Sequence, residues 1–151
     1  MYSKGIVFYI GWDKMNITQE SDYAIRAILI MVKNPDREIL DANTISELGN
    51  IPIRFLLKLL RKLTQGGVIK SYRGVNGGYS LNKAPKDINL KIVIEVIEGP
   101  ICINRCLYDK ETCSAGKGDN CAIHMALYEV QSKLIKELEA INYEGLKNGA
   151  W

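Results

Sequence analysis

The segment Arg73-Gly-Val-Asn-Gly-Gly78 constrains the fold more than any other part of the 151-residue chain. On one side stands Val68-Ile-Lys-Ser-Tyr72 and on the other Tyr79-Ser-Leu81, both β-rich runs. Two such runs joined by a glycine-rich tip read as a β-hairpin. What precedes the hairpin is helical. Thr44-Ile-Ser-Glu47 reads as a capping box opening a short helix, and Gly49-Asn50 as a turn. Pro52 suits the first position of the next helix, where its missing N–H costs nothing. Phe55, Leu56, Leu59, Leu60 and Leu63 form that helix's apolar stripe, and Gly66-Gly67 stops it. Two short helices meeting across a glycine turn make a helix-turn-helix, and a hairpin directly after the second helix is a wing.

Before this unit, Thr18 caps a helix with Glu20 and Asp22 in its first turn, and Tyr23, Ile25, Ile28, Leu29 and Val32 recur at helical spacing up to Lys33. Asn34-Pro35-Asp36 ends it. After the wing, Asn89 caps a helix over Leu90 to Glu98, ended by Gly99-Pro100. Ile123, Leu127, Val130, Leu134, Leu138 and Ile141 then recur at spacings of three and four, a seam that needs a partner. The expected architecture is mainly α with a small β-hairpin: a winged helix-turn-helix domain plus a long C-terminal dimerisation helix. The expected parts are an N-terminal extension over 1–14, the DNA-binding domain over 15–86, a connecting helix over 87–100, a cysteine-rich loop over 101–124 and the dimerisation helix over 122–146. No apolar run of about 18 residues suggests a membrane span, and the opening MYSKGIVFYIGW lacks a secretory cleavage pattern, so a cytoplasmic protein is expected.

Charge is informative through its distribution. Between Ile51 and Lys86 stand Arg54, Lys58, Arg61, Lys62, Lys70, Arg73, Lys83 and Lys86, with no Asp or Glu. A one-signed block inside a mixed chain points to a polyanion, here double-stranded DNA. Arg54 and Lys58 sit one turn apart on the second helix of the pair, on the side opposite Phe55 and Leu59, placed to meet guanine or phosphate. Thr44, Ser46, Pro52, Phe55 and Arg61 complete the helical surface expected at DNA, and Arg73, Asn76 and Gly77 the wing tip. Lys62, Lys70 and Lys83 are expected phosphate contacts. Two reading heads imply a homodimer on a pseudo-palindromic operator. Enzymatic chemistry is not expected: the chain has one histidine and no evident nucleophile–base pairing.

All four cysteines and that histidine crowd into one stretch: Cys102-x3-Cys106-x6-Cys113-x7-Cys121-x2-His124. Four readings stand. Structural zinc prefers short paired knuckles, and no second C-x2-C pair exists. A disulfide suits a reducing compartment poorly, though a regulatory thiol switch remains open. Free buried thiols suit a polar loop poorly. An iron–sulfur cluster, held by thiolates with a histidine or another weaker ligand, fits the wide glycine-rich loop best.

At this point the chain resembles the iron–sulfur cluster regulator (IscR-like) family of winged-helix transcription factors, which also includes nitric-oxide sensors and cysteine-metabolism repressors. The likeness runs from about Met15 to Leu146. It rests on Asp22-Tyr-Ala-Ile-Arg-Ala27, Ile45-Ser-Glu47, Ile51-Pro52, Phe55-Leu56, Gly67-Val68-Ile69, Arg73-Gly-Val-Asn-Gly-Gly-Tyr79, Ile97-Glu-Gly-Pro100 and the cysteine loop. The resemblance implies a homodimer, with the helix starting near Pro52 in the major groove and Arg73 in the minor groove. It implies that Cys106, Cys113 and Cys121 hold the cluster, [2Fe–2S] being favoured over [4Fe–4S]. The fourth ligand it implies is His124, with Asp22 of the partner subunit's first helix and Cys102 as alternatives. Cys102 is extra to the three-cysteine pattern, and both spacings within it are longer than in the cluster regulators. The function so implied is a repressor whose operator affinity follows iron, redox or nitric oxide status; the alternative is a cluster-free repressor controlled by thiol oxidation or a protein partner.

Overall fold

In the computed structural model, residues 17–150 are described, except Lys110 and Thr112. The N-terminal extension expected over 1–14 lies outside the described residues. The elements are α1 (Gln19–Lys33), α2 (Ala42–Gly49), α3 (Ile53–Gln65), β1 (Ile69–Tyr72), β2 (Gly78–Leu81), α4 (Leu90–Glu98), α5 (Arg105–Tyr108), α6 (Ala122–Ala140) and α7 (Tyr143–Lys147), with single 3-10 turns at Pro85–Asp87 and Gly118–Asn120. This is the expected fold class, mostly helical with one two-stranded antiparallel hairpin. Among the described residues no helix is long and apolar enough to cross a membrane.

The core forms where α1 crosses the others. Ala24, Ala27, Ile28, Met31 and Val32 recur every three or four residues on α1, and all are buried. Against them pack Ile45 of α2, Leu56, Leu59, Leu60 and Leu63 of α3, Val68, Ile69 and Ile88, Val93 and Ile97 of α4, and Tyr143 of α7. The small residues Ala24 and Ala27 let α1 lie close to its neighbours. Gly49 does the same on α2, where an added Cβ would stand 2.8 Å from Cδ1 of Ile30.

The caps explain the boundaries. Thr18 accepts from the Ser21 N–H and Asn89 from the Ile92 N–H, as their spacing predicts. Helix α2 begins earlier than the Thr44 capping box suggests. Asp41 is its N-cap, its carboxylate accepting from Thr44 N–H at 3.0 Å and from the Thr44 hydroxyl at 2.6 Å. A carboxylate offers two acceptors and a charge at the helix's positive end, so it outcompetes a hydroxyl three residues on. The same bonds from Thr44 hold the Asp41 carboxyl below its ordinary value of 3.8. Its stabilisation is therefore complete above about pH 4 and is lost as pH falls through the depressed folded value. Asp41→Ala is expected to cost about 0.5–2 kcal/mol at neutral pH. In urea melts the gap from the unmodified protein should shrink in acid; a gap independent of pH would leave the cap without its charge.

Helix α3 starts at Ile53, so Pro52 is its N-cap rather than its first residue, with the Pro52 carbonyl taking the N–H groups of Phe55 and Leu56. Asn50 makes the turn at φ 48°, one of the few non-glycine types that tolerate left-handed backbone. Phe55 departs from the expected stripe: it is 54% exposed, while Leu56, Leu59, Leu60 and Leu63 are buried. At 100° per residue Phe55 lies roughly 90° from the centre of that buried arc, at the rim of the helix–core contact.

The helix expected over 122–146 is two helices. Helix α6 stops at Ala140, and Asn142 caps α7. Between them the chain pairs with the segment before α4: Leu90 N–H donates to the Ile141 carbonyl at 3.1 Å and Tyr143 N–H to the Ile88 carbonyl at 3.0 Å. These bonds return Tyr143 to the core against α1.

Candidate functional site

Two surfaces carry the residues singled out by sequence. The first is the basic face of α3 and the wing. Arg54, Lys58 and Arg61 share the exposed arc of α3, opposite the buried leucines, and Phe55 and Leu57 flank it, Leu57 being 47% exposed. Phe55, expected both in the apolar stripe and on the DNA-facing surface, is exposed on the latter, and Leu57, which the sequence did not single out, is exposed with it. The excess of leucines hides which one faces out, and only the angular position within the arc separates them. Thr44 and Ser46 spend their hydroxyl protons internally, on Asp41 and on the Ile51 carbonyl at 2.6 Å. Pro52 is exposed at the start of α3. Arg26, on α1, donates to the Gly49 carbonyl at 3.0 Å and to Asp22, which ties the turn of the helix pair to α1.

The wing is built for close approach. Strands β1 and β2 pair from Ile69↔Leu81 to Tyr72↔Gly78. Leu40 and Tyr79 exchange backbone hydrogen bonds of 3.0 and 2.8 Å, which anchors the hairpin to the segment before α2. At the tip, Gly74 adopts φ 107° and receives the Gly77 N–H at 3.0 Å. A Cβ on Gly77 would stand 2.4 Å from the Tyr72 carbonyl oxygen and one on Gly78 2.5 Å from that of Leu40, so the turn closes only with glycine there. Arg73, Val75 and Asn76 point outward from it, exposed.

The second surface is the cysteine loop. All four thiols are free. Cys106, Cys113, Cys121 and His124 line one open cavity of about 300 Å³, with Arg105, Ser114 and Gly118 among the other walls. Its space is roughly ten times the ~30 Å³ share of one liquid water, room for a multi-atom group. Cys106 comes from α5, Cys121 is the N-cap of α6 and His124 lies in the first turn of α6, buried. Cys121 and His124 face the same way because three residues nearly complete a helical turn. Cys113 sits on a turn closed by the Gly116 N–H on the Cys113 carbonyl at 3.0 Å. Backbone N–H groups of Lys117 and Ala115, then of Gly116 and Gly118, hold its thiol below the ordinary value, favouring the thiolate. The positive φ of Gly116 (61°) and Gly118 (47°) lets those amides converge.

The donor set fits an iron–sulfur group: three thiols, one with its charge already stabilised, and an imidazole around one space. Among the described residues no three His, Cys, Asp or Glu side chains are gathered as a ready-made site for a single metal ion. Cys102 is exposed, its thiol on the Asn104 carbonyl, and does not line the cavity. Asp22 is paired with Arg26 on α1, away from the cavity wall. The loop is moored to α6 by the Ile103 N–H on Gln131 Oε1 at 3.0 Å, and α4 to α6 by Lys91 on Glu139 at 2.9 Å.

Comparison with known proteins matches residues 17–148 to the Rrf2 family, described as an iron-dependent transcriptional regulator. The chain belongs to the Rrf2 family. A Rrf2-like putative HTH-type transcriptional regulator of Rhodobacter capsulatus is 39% identical over 99 residues, 61% of this chain and 66% of that protein. The chain thus spans just under two thirds of that relative's length. IscR of Pectobacterium carotovorum is 28% identical over 89% of this chain and 80% of its own. Among solved structures, CymR, the global cysteine regulator of B. subtilis, superposes with a TM-score of 0.63 at 26% identity, covering 88% of this chain and 96% of that one. These Rrf2-family relatives are transcriptional regulators, not enzymes, and the winged-helix fold expected from the hairpin and its preceding helices is theirs.

Proposed function

We propose that this Rrf2-family protein is a cytoplasmic, homodimeric, DNA-binding repressor whose operator affinity is set by an iron–sulfur cluster. The observation that carries the reading is the convergence of Cys106, Cys113, Cys121 and His124 on one cavity. Those four residues are the ligands, the cluster being [2Fe–2S]. When bound, the cluster supplies a group that iron shortage, oxidant or nitric oxide can remove.

The chain's own residues do the rest. The cavity straddles the start of α6, which leaves Ile123, Val130 and Leu134 exposed in one stripe, with Met125 and Tyr128 exposed on the opposite side of the helix. A second copy covers that stripe and sets the distance between two α3 helices on a pseudo-palindromic site. Ligation at Cys121 and His124 fixes the first turn of α6, so the cluster biases that distance. A differential affinity of roughly 1–3 kcal/mol between the two geometries shifts DNA binding about 5- to 150-fold. Arg54 and Arg61 meet the major groove, with Phe55 and Leu57 placed for thymine methyl groups and Lys58 toward the phosphates at its edge. Arg73 enters the minor groove beside Asn76 and Gly77, and Lys70 and Lys83 hold phosphates.

Iron and acid-labile sulfide assays on protein reconstituted without oxygen, followed by operator binding with and without the cluster, test the reading. Uptake of neither element overturns the cluster. Arg73→Ala should weaken operator binding by about 1–3 kcal/mol while leaving the dimer intact by sedimentation. Unchanged operator affinity would remove the wing from the interface. A second reading, control by thiol oxidation, is favoured by the exposure of Cys102 outside the cavity, and the similar CymR is a cysteine regulator. Under that reading the reconstituted protein stays colourless, and peroxide alone changes DNA affinity.

A further inference from the structure

The basic arc of α3 is not uniformly available. Glu20, in the first turn of α1, puts one carboxylate oxygen on each of two of its lysines: Oε1 accepts from Lys58 Nζ and Oε2 from Lys62 Nζ, both at 2.9 Å. Lys62 is held a second time, by the Ile97 carbonyl at 3.2 Å. Hydrogen bonds from Lys62 and Lys58 keep the Glu20 carboxyl below its ordinary value, so it is ionised at neutral pH. Glu20 is itself fixed in place. Thr18 caps the helix start, and Glu98 accepts from the Thr18 N–H and hydroxyl and from the Ser21 hydroxyl. By contrast, Arg54, Arg61 and Arg73 make no ion pair among the described residues.

One carboxylate bridging two ammonium groups on a DNA-facing helix occupies the place a backbone phosphate would take. Lysine–phosphate contacts are blind to sequence, and each adds to the salt dependence of binding. A lysine already neutralised from within gives up an internal ion pair to make such a contact. Its net gain on an arbitrary duplex is small. The three arginines keep their full attraction, and arginine is the side chain suited to bidentate reading of guanine. The arrangement therefore takes affinity from sequence-blind binding more than from operator binding.

We propose that Glu20 is a specificity-determining residue, an internal phosphate substitute that masks Lys58 and Lys62 and lowers binding to non-operator DNA. This rests on the reading of the protein as a DNA-binding regulator. The test measures fluorescence anisotropy of a labelled duplex of arbitrary sequence against the full-length unmodified protein, Glu20→Gln, and Glu20→Gln combined with Lys58→Gln and Lys62→Gln, over a series of KCl concentrations. Each freed lysine steepens the slope of log affinity against log salt by about 0.9. Glu20→Gln is thus expected to steepen it by about 1–2 and to bind about 5- to 30-fold tighter near physiological salt. Removing both lysines as well should return the slope to that of the unmodified protein or below. A merely structural Glu20 would leave the slope unchanged or weaken binding, and either result overturns the inference. If the folded unmodified protein itself shows no salt-dependent duplex binding, the regulator reading falls, and this inference with it. If it binds and Glu20→Gln matches it, only the inference falls.

Discussion

In a Cys113→Ala variant reconstituted without oxygen, iron and acid-labile sulfide are expected to fall to background while the helical content and the oligomeric state stay those of the unmodified protein. The reason lies in where Cys113 is. Its turn belongs to no helix or strand, its side chain joins no buried core cluster, and its thiolate is stabilised by backbone amides that exist whether or not the sulfur is there. Removing the sulfur takes away one wall of the cavity and nothing that holds α1, α3 or the wing. Cys102→Ala sharpens the same experiment. Cys102 lies outside the cavity lining, so its loss should leave the iron and sulfide content of the reconstituted protein unchanged. Full loading of Cys113→Ala, or loss of loading in Cys102→Ala, would show that the ligands are other than Cys106, Cys113, Cys121 and His124.

Tyr143→Ala carries the largest expected cost in stability, about 3–5 kcal/mol. Tyr143 is fully buried against α1, and its hydroxyl donates to the Ile25 carbonyl at 3.3 Å. Against a total of about 5–15 kcal/mol for a domain of ordinary stability, that is about a fifth of the whole or more. Tyr143→Phe keeps the ring and loses only a long hydrogen bond, for about 0.5–1.5 kcal/mol. Burial pushes the phenol well above its ordinary value of 10.0. Below that value both states are protonated and the contribution is intact; as pH rises beyond it the unfolded chain ionises first and stability falls. Urea titrations at neutral pH should rank the three proteins, and above about pH 10 Tyr143→Phe should lose less than the unmodified protein. A cost under about 1 kcal/mol for Tyr143→Ala would mean that α7 frays from the core in solution.

Much of this chain was legible because its signals are local. Helix α4 runs over Leu90–Glu98 with Asn89 as cap, as spacing predicted, since a cap and a stripe are decided within one or two turns. The hairpin follows from three glycines between two β-rich runs, and their steric need at Gly77 and Gly78 is a contact with their own near neighbours and with Leu40. The crowding of all four cysteines and the one histidine into one segment was likewise plain from the sequence. That Cys106, Cys113, Cys121 and His124 share a cavity while Cys102 stands aside was not, because the path of an irregular loop depends on where α6 is anchored.

The sequence by itself determined α1, α4, the wing and the crowding of thiols into one loop, since each depends on periodicity, caps and residue type within a short span. The tertiary structure alone decided three things. It broke the last helix at Ile141–Asn142, because the backbone there gains partners at Ile88 and Leu90 and Tyr143 gains a core. It turned Phe55 and Leu57 outward from a leucine-rich helix, because the core fills only one arc of α3. It brought Glu20 onto Lys58 and Lys62, 38 and 42 residues away, because α1 packs across α3. Each depends on which surfaces meet, and no local pattern encodes the energy of a contact between residues so far apart along the chain.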